Sequence, residues 1–415
     1  MKRREFRANN RRKLTPKRIF GLIGLAVACL GLAGMAGWSA TSTVLRSRNP
    51  ALVEQMTGDP LASLVIMERE TRRSPKLAAQ PAILDVARDA LEREPLTPSA
   101  LRMLALHAEL SGSPEKASSL AHLSERVSRR DMLTQFFLIE QAVQASDHEL
   151  ALRHYDKVLR TKDESYSLLF PILSQAITID AIRSALAPYV RQQAEWIPEF
   201  LDFAMRRKSA DLRPIAKLIV AAEAGRDRQL MDKLGPNLLG GLMEQNEPEV
   251  ARRLLGQIAE GQSDLPTRVP FSKSTTDPRY GLISWTPNSS AGSGAIFEAD
   301  GSGSDLKIRI FANAGERGIV LQRYLSLAAG AYKLTTRRSI VEAEEFSESY
   351  WELKCNRNGA FNSLWVSSTH TIRQVSEERF SVPKDCKVQL IQLHAVGGDA
   401  GQGLEFTVDE LRLSK

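Results

Sequence analysis

The chain has 415 residues, 43% hydrophobic and 25% charged, a globular composition with room for two or three domains of ~100–200 residues each. The formal net charge of +7 is concentrated at one end: residues 1–18 hold nine Lys/Arg against the single acid Glu5, and the remainder of the chain sums to −1. No basic domain is left to track a phosphate backbone, so nucleic acid is set aside as a partner.

Directly after the basic tail (1–18) comes the uncharged run IFGLIGLAVACLGLAGMAGWSA, Ile19 to Ala40. As a helix it spans ~33 Å, enough for a ~30 Å hydrocarbon core, and residues 19–41 are expected to form a single transmembrane helix. Nine cations precede it and only Arg46 and Arg48 follow closely, so the N-terminus is expected in the cytoplasm and the bulk outside it. A cleaved signal peptide is the alternative, with Gly34, Met35 and Ala36 as a small-residue cleavage site, but the apolar run continues past them. The layout suits a bacterial inner-membrane protein facing the periplasm.

Residues 42–265 have helical period. Leu84, Ala87 and Leu91, then Leu101, Leu104 and Ala108, mark successive apolar faces, separated by short breaks such as Ser111-Gly112-Ser113-Pro114 and Ala145-Ser146-Asp147. Ile83, Ala117 and Ala151 are spaced by 34, and Ala90, Ser124 and Val158 follow each of them by seven. A small residue where two helices cross, another seven on, and Pro95 closing the second helix resemble the tetratricopeptide repeat over roughly residues 66–162. That resemblance implies an all-α helical-repeat domain whose concave surface holds a protein partner; the alternative is a plain spacer. His148 and His154 read as ordinary surface residues.

Pro266, Pro270 and Pro278 among Ser, Thr and Gly mark residues 266–281 as a linker. From 282 to 415 the pattern becomes all-β. Runs such as Leu306–Phe311, Tyr350–Cys355, Lys387–His394 and Leu404–Leu413, bounded by Gly, Asn and Asp, predict a sandwich of eight to ten strands. The segments LQRYLSLAAGAYKL, YWELKC, FSVPKDCKVQLIQLHA and FTVDELRL resemble, in their order, the jelly-roll carbohydrate-binding modules and related galactose-binding-like domains. The resemblance implies polysaccharide as a ligand. It also implies a structural calcium near the closing strand, for which Asp409 with Glu298 or Glu405 would supply oxygens; no other cofactor is expected.

Strand parity sorts the side chains. Trp351, Leu353 and Cys355 share one face, as do Cys386, Val388 and Leu390, so two inward cysteines are expected to pair as Cys355–Cys386 in an exported domain, closing a loop of about 30 residues worth ~3–4 kcal/mol. In a cytosolic domain they would be two buried thiols. Trp365 alternates with Leu364 and Val366 and is expected to point off the core onto a sheet face, where a sugar ring could stack, with Trp285 as a second platform. The alternative for Trp365 is the packing layer of the second sheet.

No HExxH, GxSxG or strand–GxGxxG–helix motif occurs. A glycosidase would need two carboxylates across one cleft, and Glu352 with Glu405 is the one pair whose parity permits the test. The expectation is therefore a non-catalytic, membrane-anchored envelope scaffold, its helices on a partner protein and its sandwich on a glycan, within surface polysaccharide assembly or export. The alternatives are a protein–protein assembly factor with a purely structural β-domain and, behind it, a carbohydrate-active enzyme.

Overall fold

The structure, a computed structural model, describes residues 43–161, 163–207, 209–299, 306–343, 346–368, 375–399, 401 and 403–415, with isolated positions before residue 43 and with backbone alone at 340–343. The expected basic tail at 1–18 lies outside the described residues, as does all but a few positions of the expected span at 19–41. Among the described residues no helix is long and apolar enough to cross a membrane.

Two compact units divide the chain, one ending at Val158 and the other running from Leu159 to Lys415. The first is helical: α1 (Pro50–Thr57), α2 (Pro60–Arg73), α3 (Ala82–Arg93), α4 (Pro98–Leu110), α5 (Pro114–Val127), α6 (Met132–Gln144) and α7, which begins at His148 and ends at Leu159. Prolines occupy the first helical position of α1, α2, α4 and α5, where the missing N–H costs nothing. Asp59 and Asp131 cap α2 and α6 by accepting from the backbone N–H groups of Leu61 and Thr134.

The 34-residue marks are all interior. Ile83, Ala117 and Ala151, and likewise Ala90, Ser124 and Val158, are buried between helices. The turns repeat at the same spacing: Gly112 (φ 74°) and Ser146 (φ 57°) are left-handed, and beyond each the next N–H reaches back into the helix, Ser113 to Ala108 O at 2.8 Å and Asp147 to Ala142 O at 2.9 Å. This part is a helical repeat. His154 departs from expectation: it is 1% exposed, because α7 turns it inward, where Nδ1 lies 2.7 Å from Gln135 Oε1.

The second unit opens with the helices α8 (Tyr166–Ala176), α9 (Asp180–Arg191), α10 (Ile197–Arg206), α11 (Arg213–Ala221), α12 (Arg228–Glu244) and α13 (Pro248–Ile258). Trp196 and Phe200 are fully buried among them, with Phe170 edge-on to Phe200 at 5.5 Å. Left-handed residues end α9 and α12 as they end α4 and α6, here at Gln193 and Asn246.

Among the described residues ten antiparallel strands follow in two sheets. Sheet A has the order β1-β4-β9-β6-β7 and sheet B the order β2-β3-β10-β5-β8. The strands are β1 (Thr286–Pro287), β2 (Ser293–Ala299), β3 (Leu306–Ala312), β4 (Arg317–Leu325), β5 (Gly330–Ala343), β6 (Glu348–Arg357), β7 (Ala360–Val366), β8 (Val375–Val382), β9 (Gln389–Val396) and β10 (Leu404–Ser414). Inward residues of both sheets, among them Ile308, Ile310, Leu321, Trp351, Leu353, Ile391, Leu393, Phe406 and Val408, form one core. Cys355 and Cys386 are joined as a disulfide, with Cα atoms 5.7 Å apart.

The expected linker is part of this core. Val269 and Phe271 are buried in it, and the indole N–H of Trp285 donates to Val269 O at 2.9 Å. Arg323, wholly buried beneath the Trp285 ring, donates through Nη2 to Leu265 O (3.0 Å) and Ile283 O (2.6 Å). The prolines give the segment its irregular path, but its apolar residues bind it to the sandwich.

Candidate functional site

Register places every side chain of sheet A. Gln322, Gln392 and Glu352 are direct neighbours on β4, β9 and β6, and β1 adds Thr286 beside Gln322. The next row on the same face is His394 and Tyr350, two residues along β9 and β6, with Ile319, three residues along β4 across its register shift. These positions alternate with the core residues Leu321, Leu393, Trp351 and Leu353, so they point away from the sandwich interior.

The contacts across these rows are polar and aromatic. His394 lies flat on Tyr350, with ring centroids 4.6 Å apart and planes 7° from parallel. Its Nε2 donates to Glu352 Oε2 at 3.0 Å, and Lys354 Nζ reaches the same oxygen at 3.3 Å. Gln392 Nε2 donates to Gln322 Oε1 at 3.0 Å, while Gln392 itself is 4% exposed and its own Oε1 meets no donor among the described residues. Burial lowers the His394 pKa, outweighing the pull of Glu352, so the imidazole is neutral at pH 7. Burial raises the Tyr350 phenol, helped by Glu352 and Glu348, so it stays protonated and able to donate.

One end of the face is closed. Tyr324 from β4 and Phe361 from β7 lean together over β9 and β6 and stack at 5.4 Å, and the Tyr324 hydroxyl donates to Glu244 Oε1 at 2.9 Å. Asn356 Nδ2 donates to the carbonyls of Met243 (3.0 Å) and Glu244 (2.7 Å), which fixes the C-terminus of α12 there.

The residues expected from sequence fall elsewhere. Trp285 is 1% exposed, packed against Phe271 and Trp351, and offers no ring face to a ligand. Trp365 is opposite the core residue Leu353 and packs against Phe380 at 5.1 Å, so it closes the sandwich edge from inside. The cause is a bulge: Leu353 pairs with Trp365 but Lys354 with Ser363, leaving Leu364 as an extra residue that inverts the parity of the rest of β7.

Asp409 accepts from Ser339 Oγ and lies 3.7 Å from Lys307 Nζ, while Glu298 is paired with Arg309 at 2.9 Å. A cation stands against each of these carboxylates where calcium would need them free, and among the described residues no group of three or more His, Cys, Asp or Glu is arranged around a metal position. Glu405 pairs with the same Arg309 at 3.2 Å on the outer side of sheet B, whereas Glu352 is on the outer side of sheet A. The two carboxylates cannot flank one bond.

No family model matches the chain, and no curated protein matches it. Among solved structures it is similar to the CBM22-1 xylan-binding domain from Paenibacillus barcinonensis Xyn10C, with 8% identity over 31% of this chain and 83% of that one and a TM-score of 0.23. A CBM4 structure is 13% identical over 35% of this chain and 98% of that one, with a TM-score of 0.26. CBM28, described as specific for non-crystalline cellulose, is 12% identical over 36% of this chain and 94% of that one, with a TM-score of 0.24. At this level of likeness nothing about a ligand or a site residue transfers.

Proposed function

We propose that the sandwich binds a glycan on the outer face of sheet A. The observation that carries this reading is the outward row of Glu352, His394 and Tyr350, a carboxylate held at 3.0 Å by His394 Nε2 beside two stacked rings. A sugar presents hydroxyl donors on its rim and C–H groups on its faces, and this row offers a carboxylate held in place and a ring together.

Around that site the chain acts as a non-catalytic scaffold in a bacterial cell envelope. The 34-residue marks support a tetratricopeptide-like arm for a protein partner. The uncharged run at 19–41 behind a tail of net +8 supports a single-pass inner-membrane anchor with the N-terminus in the cytoplasm, and the Cys355–Cys386 disulfide supports a periplasmic location. Assembly or export of surface polysaccharide is the process that joins these parts.

Affinity electrophoresis of the 415-residue chain through gels loaded with envelope polysaccharides tests the ligand. Retardation that disappears in Tyr350→Ala and Glu352→Ala supports the site. Free migration in every gel leaves the sandwich as a protein-docking module.

A further inference from the structure

We infer that the end of the sandwich around Leu327 and Ala328 is a second binding site, for an acidic polysaccharide. Two clefts of about 480 and 390 Å³ flank the turn between β4 and β5, and both are lined by Leu327 and Ala328. Arg268 and Lys415 border the first, Arg252, Lys384 and Lys387 the second. Each cleft lies in the size range of pockets that take a small organic group.

Arg268 is paired with Asp264 at 2.8 Å and Arg252 with Glu249 at 3.4 Å, which leaves Lys415 at the first cleft and Lys384 with Lys387 at the second as the cations that no carboxylate side chain offsets among the described residues. No carboxylate side chain lines the first cleft. At the second, Glu247 is drawn to Arg213 and Glu249 to Arg252, each at 3.4 Å, and nearby Asp385 pairs with Arg357 at 3.2 Å. Lys384 and Lys387 are exposed, with no carboxylate within ion-pair distance among the described residues. Arg252 is aimed at the turn by its Nη2 bond to Ser326 O at 3.0 Å, and the Lys415 ammonium lies 5.9 Å from the Tyr332 ring centroid. Residues 19–415 sum to −1, so this concentration of cations is local.

Repeated anionic groups on one polymer fit two adjacent basic clefts better than a single small anion does. A single-stranded nucleic acid would look for open ring faces, but Tyr332 is stacked on Phe380 at 5.7 Å with Lys415 beside it. A lipid surface would look for apolar side chains to insert, and among the described residues none of the large exposed ones lines either cleft.

The test is binding of the 415-residue chain to immobilised polygalacturonate and to neutral dextran, at low and high salt, against the double variant Lys384→Glu with Lys387→Glu. The nine cations of residues 1–18 also attract polyanions but are common to both proteins, so the difference reads the clefts. Polygalacturonate is expected to bind in a salt-sensitive way, about tenfold more weakly to the double variant, with dextran ignored and the melting temperature unchanged. Equal binding by both proteins overturns the assignment. So does tighter binding of the clefts, by the same difference, to anionic phospholipid vesicles or to single-stranded DNA. Tyr350→Ala leaves this binding intact, which separates it from the glycan face of sheet A.

Discussion

His394 and Glu352 meet across β9 and β6 at 3.0 Å, with the imidazole held neutral by burial and its Nε2 donating to the carboxylate. The folded chain therefore prefers the uncharged ring more than the unfolded chain does. His154 is a second such group, its pKa lowered from 6.5 to about 4 first by burial and then by Lys157. Both depressions work in one direction: the stability they contribute is present above the unfolded value near 6.5 and is lost as pH falls through the folded values. The midpoint of urea denaturation is expected to drop between about pH 6.5 and 4, and less steeply in His154→Gln. A His154→Gln profile parallel to the parent's would remove His154 from the account.

Trp365 and Tyr350 separate a structural from a binding role. Trp365 fills the sandwich edge against Phe380, so Trp365→Ala is expected to cost about 2–3 kcal/mol, somewhat under the value for a fully buried ring, while any glycan affinity of the folded fraction persists. Tyr350 lies half-buried on the outer face, so Tyr350→Ala is expected to leave the denaturation midpoint nearly unchanged and to abolish glycan affinity. Calorimetry with denaturation curves on both variants checks this, and the reverse pattern would return the platform to Trp365.

How much of the fold is legible in the sequence depends on the kind of signal. Alternation in YWELKC sets the inward residues Trp351, Leu353 and Cys355 correctly, but the expectation that Leu390 shares the inward face of Cys386 and Val388 is reversed: β9 begins only at Gln389, so parity does not carry over from Cys386, and Ile391 and Leu393 face the core while Leu390 sits beside Tyr324. The same alternation puts Tyr350 and Glu352 on the other side, but only the pairing of β6 with β9 sets Gln392 and His394 beside them, and pairing is a long-range fact. Trp365 defeats the parity argument because one extra residue, Leu364, carries no local mark that distinguishes a bulge from a regular strand. The segment 266–281 reads as a linker by its prolines, while Val269 and Phe271 decide its burial. Of the left-handed helix ends at 112, 146, 193 and 246, only the first uses glycine, so the shared turn is invisible in composition.

Gly281 lies against helix α12 with φ 54°, and a Cβ there would come 2.5 Å from Pro236 O. Pro236 is inside the helix, and the backbone of the 278–283 turn packs directly on it. Neither the dihedral nor the space accommodates a side chain. Gly281→Ala is expected to cost about 2 kcal/mol or more, seen as a lower urea midpoint, whereas Gly261→Ala, at φ 76° with nothing within 4 Å, meets the dihedral strain alone. Equal losses in the two variants would show that the contact with Pro236 is without effect.

Asn356 ties α12 to the sandwich from the residue next to the disulfide. Its side chain is fully buried, gives both amide protons to the carbonyls of Met243 and Glu244, and accepts from Gly359 N at 3.0 Å. Removing it leaves the end of a helix without donors in a place that water does not reach. At ~1–3 kcal/mol for each buried polar group left unmade, Asn356→Ala is expected to cost about 2–4 kcal/mol. The loss is local to the join between helices and sheet, so tryptophan fluorescence and near-ultraviolet dichroism should part into two unfolding transitions where the parent shows one for this unit. Limited proteolysis should then cut between residues 245 and 262 before it cuts the strands. Coincident transitions at the parent's midpoint would mean that Tyr324 with Glu244, and Arg252 with Ser326, hold the join without Asn356.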